Sequence, residues 1–204
     1  MKLDAEFVCS AVKLTDCPRW HRVEVAIAGR SNVGKSSLLN ALTAQKDLAR
    51  TSKTPGRTRC LNFFSVGERF ALVDLPGYGY AKMPRAEAHS IAKMMDDYLA
   101  RRSNLAVLVS LIDSRRGPEH EEVELAGIIE RRNIALIVVG TKSDKLRNSE
   151  RRAAIGRFQI LGVEPILCSA ASGAGVDELR RRIVASVERS AKRTSQADLP
   201  PSAK

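Results

Sequence analysis

The stretch Gly29-Arg30-Ser31-Asn32-Val33-Gly34-Lys35-Ser36-Ser37 has the residue types and spacing of a polyphosphate cradle, G-x-x-x-x-G-K-[ST]. Gly29 and Gly34 let the backbone curl so that successive N–H groups point inward, toward anionic oxygens. Lys35 is spaced to reach β and γ phosphates. The Ser36 hydroxyl is placed to ligate a Mg²⁺ ion that bridges phosphate oxygens and keeps several waters. The bland alternative is a glycine-rich turn. With glycine at about 7% of residues, a chance match in a chain this long has odds on the order of one in a hundred.

Such a cradle works only between a strand and a helix, and the flanking residues supply both. Residues 23–28, Val-Glu-Val-Ala-Ile-Ala, read as a buried strand, and 37–42 as the start of a helix whose positive N-terminal end faces the same anion. Three further features fall where the same site would be completed. Asp74-Leu75-Pro76-Gly77 puts a carboxylate at a strand end, fit to hold the Mg²⁺ shell, and a glycine whose N–H can approach a γ-phosphate; alone, D-x-x-G is an ordinary turn. Thr58 is a hydroxyl in the polar loop 49–59, able to close on the metal when a γ-phosphate is present, with Thr51 and Thr54 as rivals. Thr141-Lys142-Ser143-Asp144 ends another strand. Asp144 there can accept from the N1–H and exocyclic amine of guanine, two donors that adenine does not present, so a carboxylate at this place selects guanine.

The rest of the chain alternates. Residues 60–66 and 69–74 are two strands joined by Gly67-Glu68, a hairpin that makes the sheet mixed. Ile91, Met94, Met95, Tyr98 and Leu99 fall on one face of a helix and read as core. Residues 105–112 and 134–140 are near-continuous apolar runs of strands covered on both faces. A helix over 119–132 is expected to bury Val123, Leu125, Ala126, Ile128 and Ile129 and to leave Glu121, Glu124 and Glu130 in solvent. A further helix over 151–161, a short strand over 165–168 and a last amphipathic helix from Val176 complete the pattern. It predicts an α/β fold, a mixed and mostly parallel sheet with helices on both faces in three α/β/α layers, its site at the strand C-terminal ends. The division expected is a lead-in over 1–22 packed on or beside the main domain, that domain over 23–190, and a disordered basic tail over 191–204.

The 204 residues suffice for one cored domain. Cys9, Cys17, Cys60 and Cys168 show no C-x-x-C pairing, which speaks against a zinc site or disulfide framework and for reduced thiols. No apolar signal core or membrane-length run is present, so a cytoplasmic protein with no membrane partner is expected. A net charge of +11, mostly from arginine, favours a phosphate-rich partner such as RNA over a merely solvated basic surface.

Together, GRSNVGKSS, TPGRT, DLPG, TKSD and SAASG resemble the translation-factor-related class of GTP-binding proteins. The longer set GRSNVGKSSLLNAL, TSKTPGRTR, LVDLPGYGYAK and TKSDK resembles the EngB (YihA/YsxC) family of bacterial ribosome-assembly GTPases, over roughly residues 5–190. That resemblance implies a P-loop GTPase fold, GTP/GDP as nucleotides, slow Mg²⁺-dependent hydrolysis, and action as a monomer in assembly of the large ribosomal subunit, with a requirement for normal cell division and septation. Matched position by position, it implies Gly29, Arg30, Ser31, Asn32, Val33, Gly34, Lys35, Ser36 and Ser37 for phosphates. It also implies Gly56, Arg57 and Thr58 as first switch and Asp74, Leu75, Pro76 and Gly77 as second. Thr141, Lys142, Ser143 and Asp144 are implied for guanine, and Cys168, Ser169 and Ala170 beside the base. Ser36, Thr58 and Asp74 would hold the metal, and Lys35, Thr58 and Gly77 would act in catalysis. Two positions depart from the broader class. Thr141 stands where an Asn is usual, and Tyr78 where many such GTPases carry a water-orienting Gln, so unassisted hydrolysis should be slow. Asn32 resembles the residue by which some related GTPases hold K⁺; the alternative is an Asn bonding nearby backbone. The rival readings are an ATP-using P-loop enzyme and an RNA-binding protein whose nucleotide pocket is structural.

Overall fold

The computed structural model describes residues 2–49, 59–79 and 84–197. Among them seven strands form one sheet in the order β1-β3-β4-β2-β5-β6-β7. The strands are β1 (Ala5–Ala11), β2 (Val23–Gly29), β3 (Leu61–Val66), β4 (Phe70–Asp74), β5 (Leu105–Asp113), β6 (Ala135–Thr141) and β7 (Ile166–Leu167). β4, β2, β5, β6 and β7 run parallel, while β3 is antiparallel to both β1 and β4. The five helices among these residues are α1 (Lys35–Thr43), α2 (Arg85–Arg101), α3 (His120–Arg131), α4 (Arg151–Arg157) and α5 (Val176–Ala197).

The apolar runs of the central strands are continuous because each face meets a different layer. Val25 and Ile27 of β2 join Val107, Val109 and Leu111 of β5 in a core shared with α1 and α5. Ala26 and Ala28, one residue out of phase, join Leu105 and Leu108 in the core under α2 and α3. Side chains alternate across a strand, so burial on both faces demands an unbroken apolar sequence. The five α2 residues read as core are all buried.

At the strand N-terminal ends, opposite the cradle, Glu24 of β2 is fully buried. Its carboxylate accepts from the Arg102 guanidinium, the Tyr98 hydroxyl at 2.9 Å and the Trp20 indole N–H at 2.7 Å. Arg102 also donates to the Pro18 carbonyl at 2.7 Å, which pins the lead-in and the end of α2 to β2. A buried charge persists only with its hydrogen-bonding capacity met, and here it is met by three side chains from two segments, the lead-in and α2 with its C-cap.

Residues 5–11 of the lead-in, whose sequence leaves a short strand or a turn of helix open, are the edge strand of the main sheet, paired with β3 through a register shift between Phe7 and Cys9. The structure departs from the sequence reading at three places. On α3 it is Glu122 that is buried, while Val123 is exposed; the cause is polar, since Glu122 hydrogen-bonds the N-cap backbone and Tyr78. The helix expected over 151–161 tightens after Arg157 into a 3₁₀ turn, Phe158–Leu161, ended by Gly162 at φ 64°. The last helix runs on to Ala197, because nothing between Ser190 and Pro200 breaks it, and so takes up half of the expected tail.

Candidate functional site

The cradle folds as its glycines require. A Cβ on Gly29 would lie 2.8 Å from the Leu111 carbonyl oxygen and 2.9 Å from Val33 Cγ1. Gly34, at φ 102°, turns the chain into α1 and stands at its N-cap, with Asn32 also left-handed at φ 63°. Lys35 opens the helix, followed by half-buried Ser36 and exposed Ser37. The Lys35 ammonium forms a buried ion pair with Asp74, the last residue of β4. The parallel pairing of β2 with β4 sets Asp74 beside Ile27 and so beside the cradle, although 39 residues separate it from Lys35.

Beyond Asp74 the chain stays with the cradle: the Leu75 N–H donates to the Ile27 carbonyl at 3.1 Å, and the Tyr78 carbonyl accepts from the Ser31 N–H at 2.8 Å. Gly77 thus lies in a loop held at both ends. The Tyr78 hydroxyl donates to Glu122 at 2.8 Å, and burial together with this carboxylate pushes the phenol pKa well up, so it remains a donor.

On the other side a cavity of about 380 Å³ opens among Val33, Gly34, Ser37, Thr141, Asp144 and Ala170. Asp144 Oδ1 accepts from the Ser169 hydroxyl at 2.6 Å, which holds its pKa below the usual carboxylate value and keeps it an acceptor. The two loops carrying these residues are joined by Ser143 N–H to the Cys168 carbonyl at 3.1 Å, and Cys168 N–H to the Gly140 carbonyl at 2.8 Å. Close approach of the Leu167 carbonyl requires glycine at 175, where a Cβ would sit 2.2 Å away. Burial raises the Cys168 thiol to about 12, so it packs as an inert neutral group.

Thr141 and Lys142 look toward the cradle. The Thr141 hydroxyl donates to the Val33 carbonyl at 2.8 Å, and the Lys142 ammonium to the Asn32 carbonyl at 2.7 Å while pairing with Asp113 at 3.2 Å. A hydroxyl therefore makes the cradle contact at the position where an amide is usual. The Asn32 side chain hydrogen-bonds no described residue.

Gly56, Arg57 and Thr58, with Thr51 and Thr54, lie outside the described residues. The approach to that segment is fixed by Asn40, whose amide donates to the Lys46 and Ala49 carbonyls at 2.8 and 2.9 Å and accepts from the Ala49 N–H at 2.8 Å. At its far side Arg59 pairs with Glu87 of α2 at 2.7 Å. Neither Asn40 nor Glu122 stood out in the sequence. Only the spacing of Glu119 and Glu122 at a helix start offered a signal for the second, as half of a capping box.

Residues 24–142 match the 50S ribosome-binding GTPase family. A probable GTP-binding protein EngB of Solibacter usitatus is 44% identical over 91% of this chain and 97% of its own length. The chain is a GTPase of the EngB family. Its nucleotides are GTP and GDP, which sets aside the ATP-using alternative. A crystal structure of a probable GTP-binding protein engB superposes with TM-score 0.67 at 26% identity, covering 82% of this chain and all 100% of that one. Era in complex with MgGDPNP and a segment of 16S ribosomal RNA superposes with TM-score 0.60 at 27% identity, covering 81% and 57% of the two chains. The P-loop GTPase fold expected from the EngB resemblance is thus the one found. No helix among the described residues is long and apolar enough to cross a membrane.

Proposed function

We propose that this EngB-family GTPase is a nucleotide-dependent switch that acts in the cytoplasm, as a monomer, in assembly of the large ribosomal subunit, and that normal septation depends on it. The observation that carries the reading is the placement of one ionised carboxylate, Asp144, in a cavity continuous with the cradle at Val33 and Gly34. In this reading the N–H groups of residues 29–37 bind the phosphates, Lys35 neutralises β and γ, and Asp144 accepts from the guanine N1–H and amine. Lys142 and Ser143 hold the base loop, and Cys168, Ser169 and Ala170 wall the base.

Charge balance supports a divalent metal. Asp74 is only 2% exposed and its countercharge is Lys35. When Lys35 turns to phosphate, Asp74 needs another cation, and Ser36, two positions into the helix that Lys35 begins, offers a hydroxyl. Mg²⁺ bound there would neutralise β and γ oxygens; Asp74, Ser36 and Thr58 are the residues to hold it. Gly77 would place its N–H on the γ-phosphate, while Gly56 and Arg57 would bring Thr58 in. Tyr78, committed to Glu122, leaves no side chain at the water-orienting position, which fits slow intrinsic hydrolysis. Asn32, with its amide uncommitted among the described residues, suits a K⁺ ion that would add positive charge beside the phosphates.

The ribosomal part of the reading rests on the family and on the charge of +11. Co-sedimentation with purified large subunits, with GDP and with a nonhydrolysable GTP analogue across a salt series, tests it. Tighter binding with the analogue is expected. Equal binding in both nucleotide states at every salt concentration would reject the switch and leave a nonspecific basic surface.

A further inference from the structure

Glu122 lies on the first turn of α3 and is 2% exposed. Both its oxygens are engaged: Oε1 accepts from the Tyr78 hydroxyl at 2.8 Å, and Oε2 from the Glu119 N–H at 2.8 Å. Tyr78 is thereby held from two directions, its main chain on the cradle through Ser31 and its side chain on α3. The next residue has no slack either. Gly79 sits at φ 75°, and a Cβ there would come within 3.1 to 3.2 Å of the Arg30 guanidinium. That guanidinium is itself fixed by Glu119 at 2.9 Å and Glu121 at 3.0 Å. A cavity of about 310 Å³ lies under this junction, but the cations lining it are already paired with carboxylates: Arg30 as above, Arg115 and Lys142 with Asp113, Arg116 with Glu119. It is a braced joint between the cradle, the loop after β4 and α3.

We infer that Glu122 is a positioning residue for GTP hydrolysis: by fixing Tyr78 it fixes the neighbouring Gly77 N–H at the place of the γ-phosphate. The inference rests on the proposed role of Gly77. GDP lacks the group that Gly77 meets, so loosening this joint weakens GTP and spares GDP. A residue that merely stabilised α3 would affect both nucleotides alike.

The test uses the full chain and measures the dissociation constants of GDP and a nonhydrolysable GTP analogue, with single-turnover hydrolysis. The variants are Gly77→Ala, Tyr78→Phe, Glu122→Ala and Glu122→Gln. Tyr78→Phe and Glu122→Ala are expected to weaken the analogue about tenfold, the scale of one hydrogen bond to a charged group, with GDP affinity unchanged. Glu122→Gln is expected to restore wild-type discrimination, since its oxygen accepts from the Glu119 N–H and its amide donates to the Tyr78 oxygen. If Glu122→Ala does not fold, Tyr78→Phe decides, because it deletes one oxygen. Equal weakening of both nucleotides, or none, overturns the inference, as does a Glu122→Gln variant no better than Glu122→Ala. Gly77→Ala separates the two layers. Selective loss of the analogue there, without it in Tyr78→Phe, leaves Gly77 its role and removes that of Glu122; selective loss in neither variant overturns the inference and withdraws the support for Gly77.

Discussion

Replacing Lys35 with Met keeps the aliphatic stem and removes the charge, which isolates the buried pair with Asp74. The two residues are 8% and 2% exposed, so neither charge is screened by water. Removing one partner of a buried pair leaves the other desolvated and uncompensated, at a cost of about 3–5 kcal/mol. In a protein of this size each kcal/mol moves the melting temperature by about 2–4 °C, so nucleotide-free Lys35→Met should melt on the order of 6–20 °C below the wild type. The double variant Lys35→Met with Asp74→Asn carries no charge at either place and should recover much of that loss. Both variants should fail to bind GTP tightly, the first for want of the ammonium at the β and γ phosphates, the second also for want of the metal carboxylate. Thermal unfolding followed by circular dichroism gives the stabilities, and titration with a fluorescent GTP analogue gives the affinities. A single variant that melts within about 2 °C of the wild type, with the double variant no more stable, would refute the charge-balance argument.

Asp144→Asn should lower GTP affinity and raise affinity for xanthosine triphosphate, whose base presents an oxygen where guanine has its amine; unchanged base preference in a competition assay would remove Asp144 from the base pocket. Ser169→Ala deletes the hydrogen bond that holds the Asp144 pKa down. A depressed carboxylate stays ionised as pH falls toward its folded pKa, so wild-type GDP affinity should be flat to about pH 5 and the variant should begin to lose affinity at higher pH than the wild type. Arg180 donates to the Leu42 carbonyl at 2.8 Å and to the Ala41 carbonyl, at the C-terminal end of α1, whereas Arg181 is exposed. Arg180→Gln should therefore lower the melting temperature without changing the salt dependence of ribosome binding. Arg181→Gln, if it meets a phosphate, should lower the logarithmic salt slope by up to about one and leave stability unchanged.

The sequence was legible where local chemistry and periodicity agree. The cradle had to follow a strand and precede a helix, and the alternation of Val25, Ala26, Ile27 and Ala28 between two cores follows from an apolar run that can be placed only between two helical layers. Side chains whose roles depend on long-range partners were not legible. Glu24 lies in a run read as a buried strand, and nothing nearby foretold Arg102 and Tyr98, over 70 residues on, as its partners. Glu122 and Val123 are neighbours on α3, and apolarity alone assigned the wrong one to the interior. The edge strand β1 is ambiguous for a related reason: its adjacent Phe7 and Val8 are both exposed, so its sequence lacks the alternation that marks a half-buried strand. The 3₁₀ turn that follows α4 is ended by backbone geometry at Gly162, and α5 runs on to Ala197 because no glycine or proline interrupts it.

The links that assemble the site differ in kind from those that assemble the fold, and the difference bears on how a switch can work. The sheet and its two cores hold the strand ends to a fixed spacing, and the clamp at Glu24 locks α2 at the end of the molecule remote from the nucleotide. At the nucleotide end, single hydrogen bonds join neighbouring loops: Thr141 and Lys142 to the cradle, Ser143 to Cys168, Ser169 to Asp144, Ser31 to Tyr78. Those between neutral groups are worth about 0.5–1.5 kcal/mol net, a scale that nucleotide binding can overcome while the cores remain intact. The base side is joined to the cradle by a short, buried threonine and a lysine held at both carbonyl and carboxylate. The γ-phosphate side is joined through a chain of side chains, Tyr78 to Glu122 and Arg30 to Glu119, that ends on α3. In the proposed reading, a change at the γ-phosphate would therefore have a material route to α3 through Tyr78 and Glu122, whereas a change of base would be confined to the pocket around Asp144.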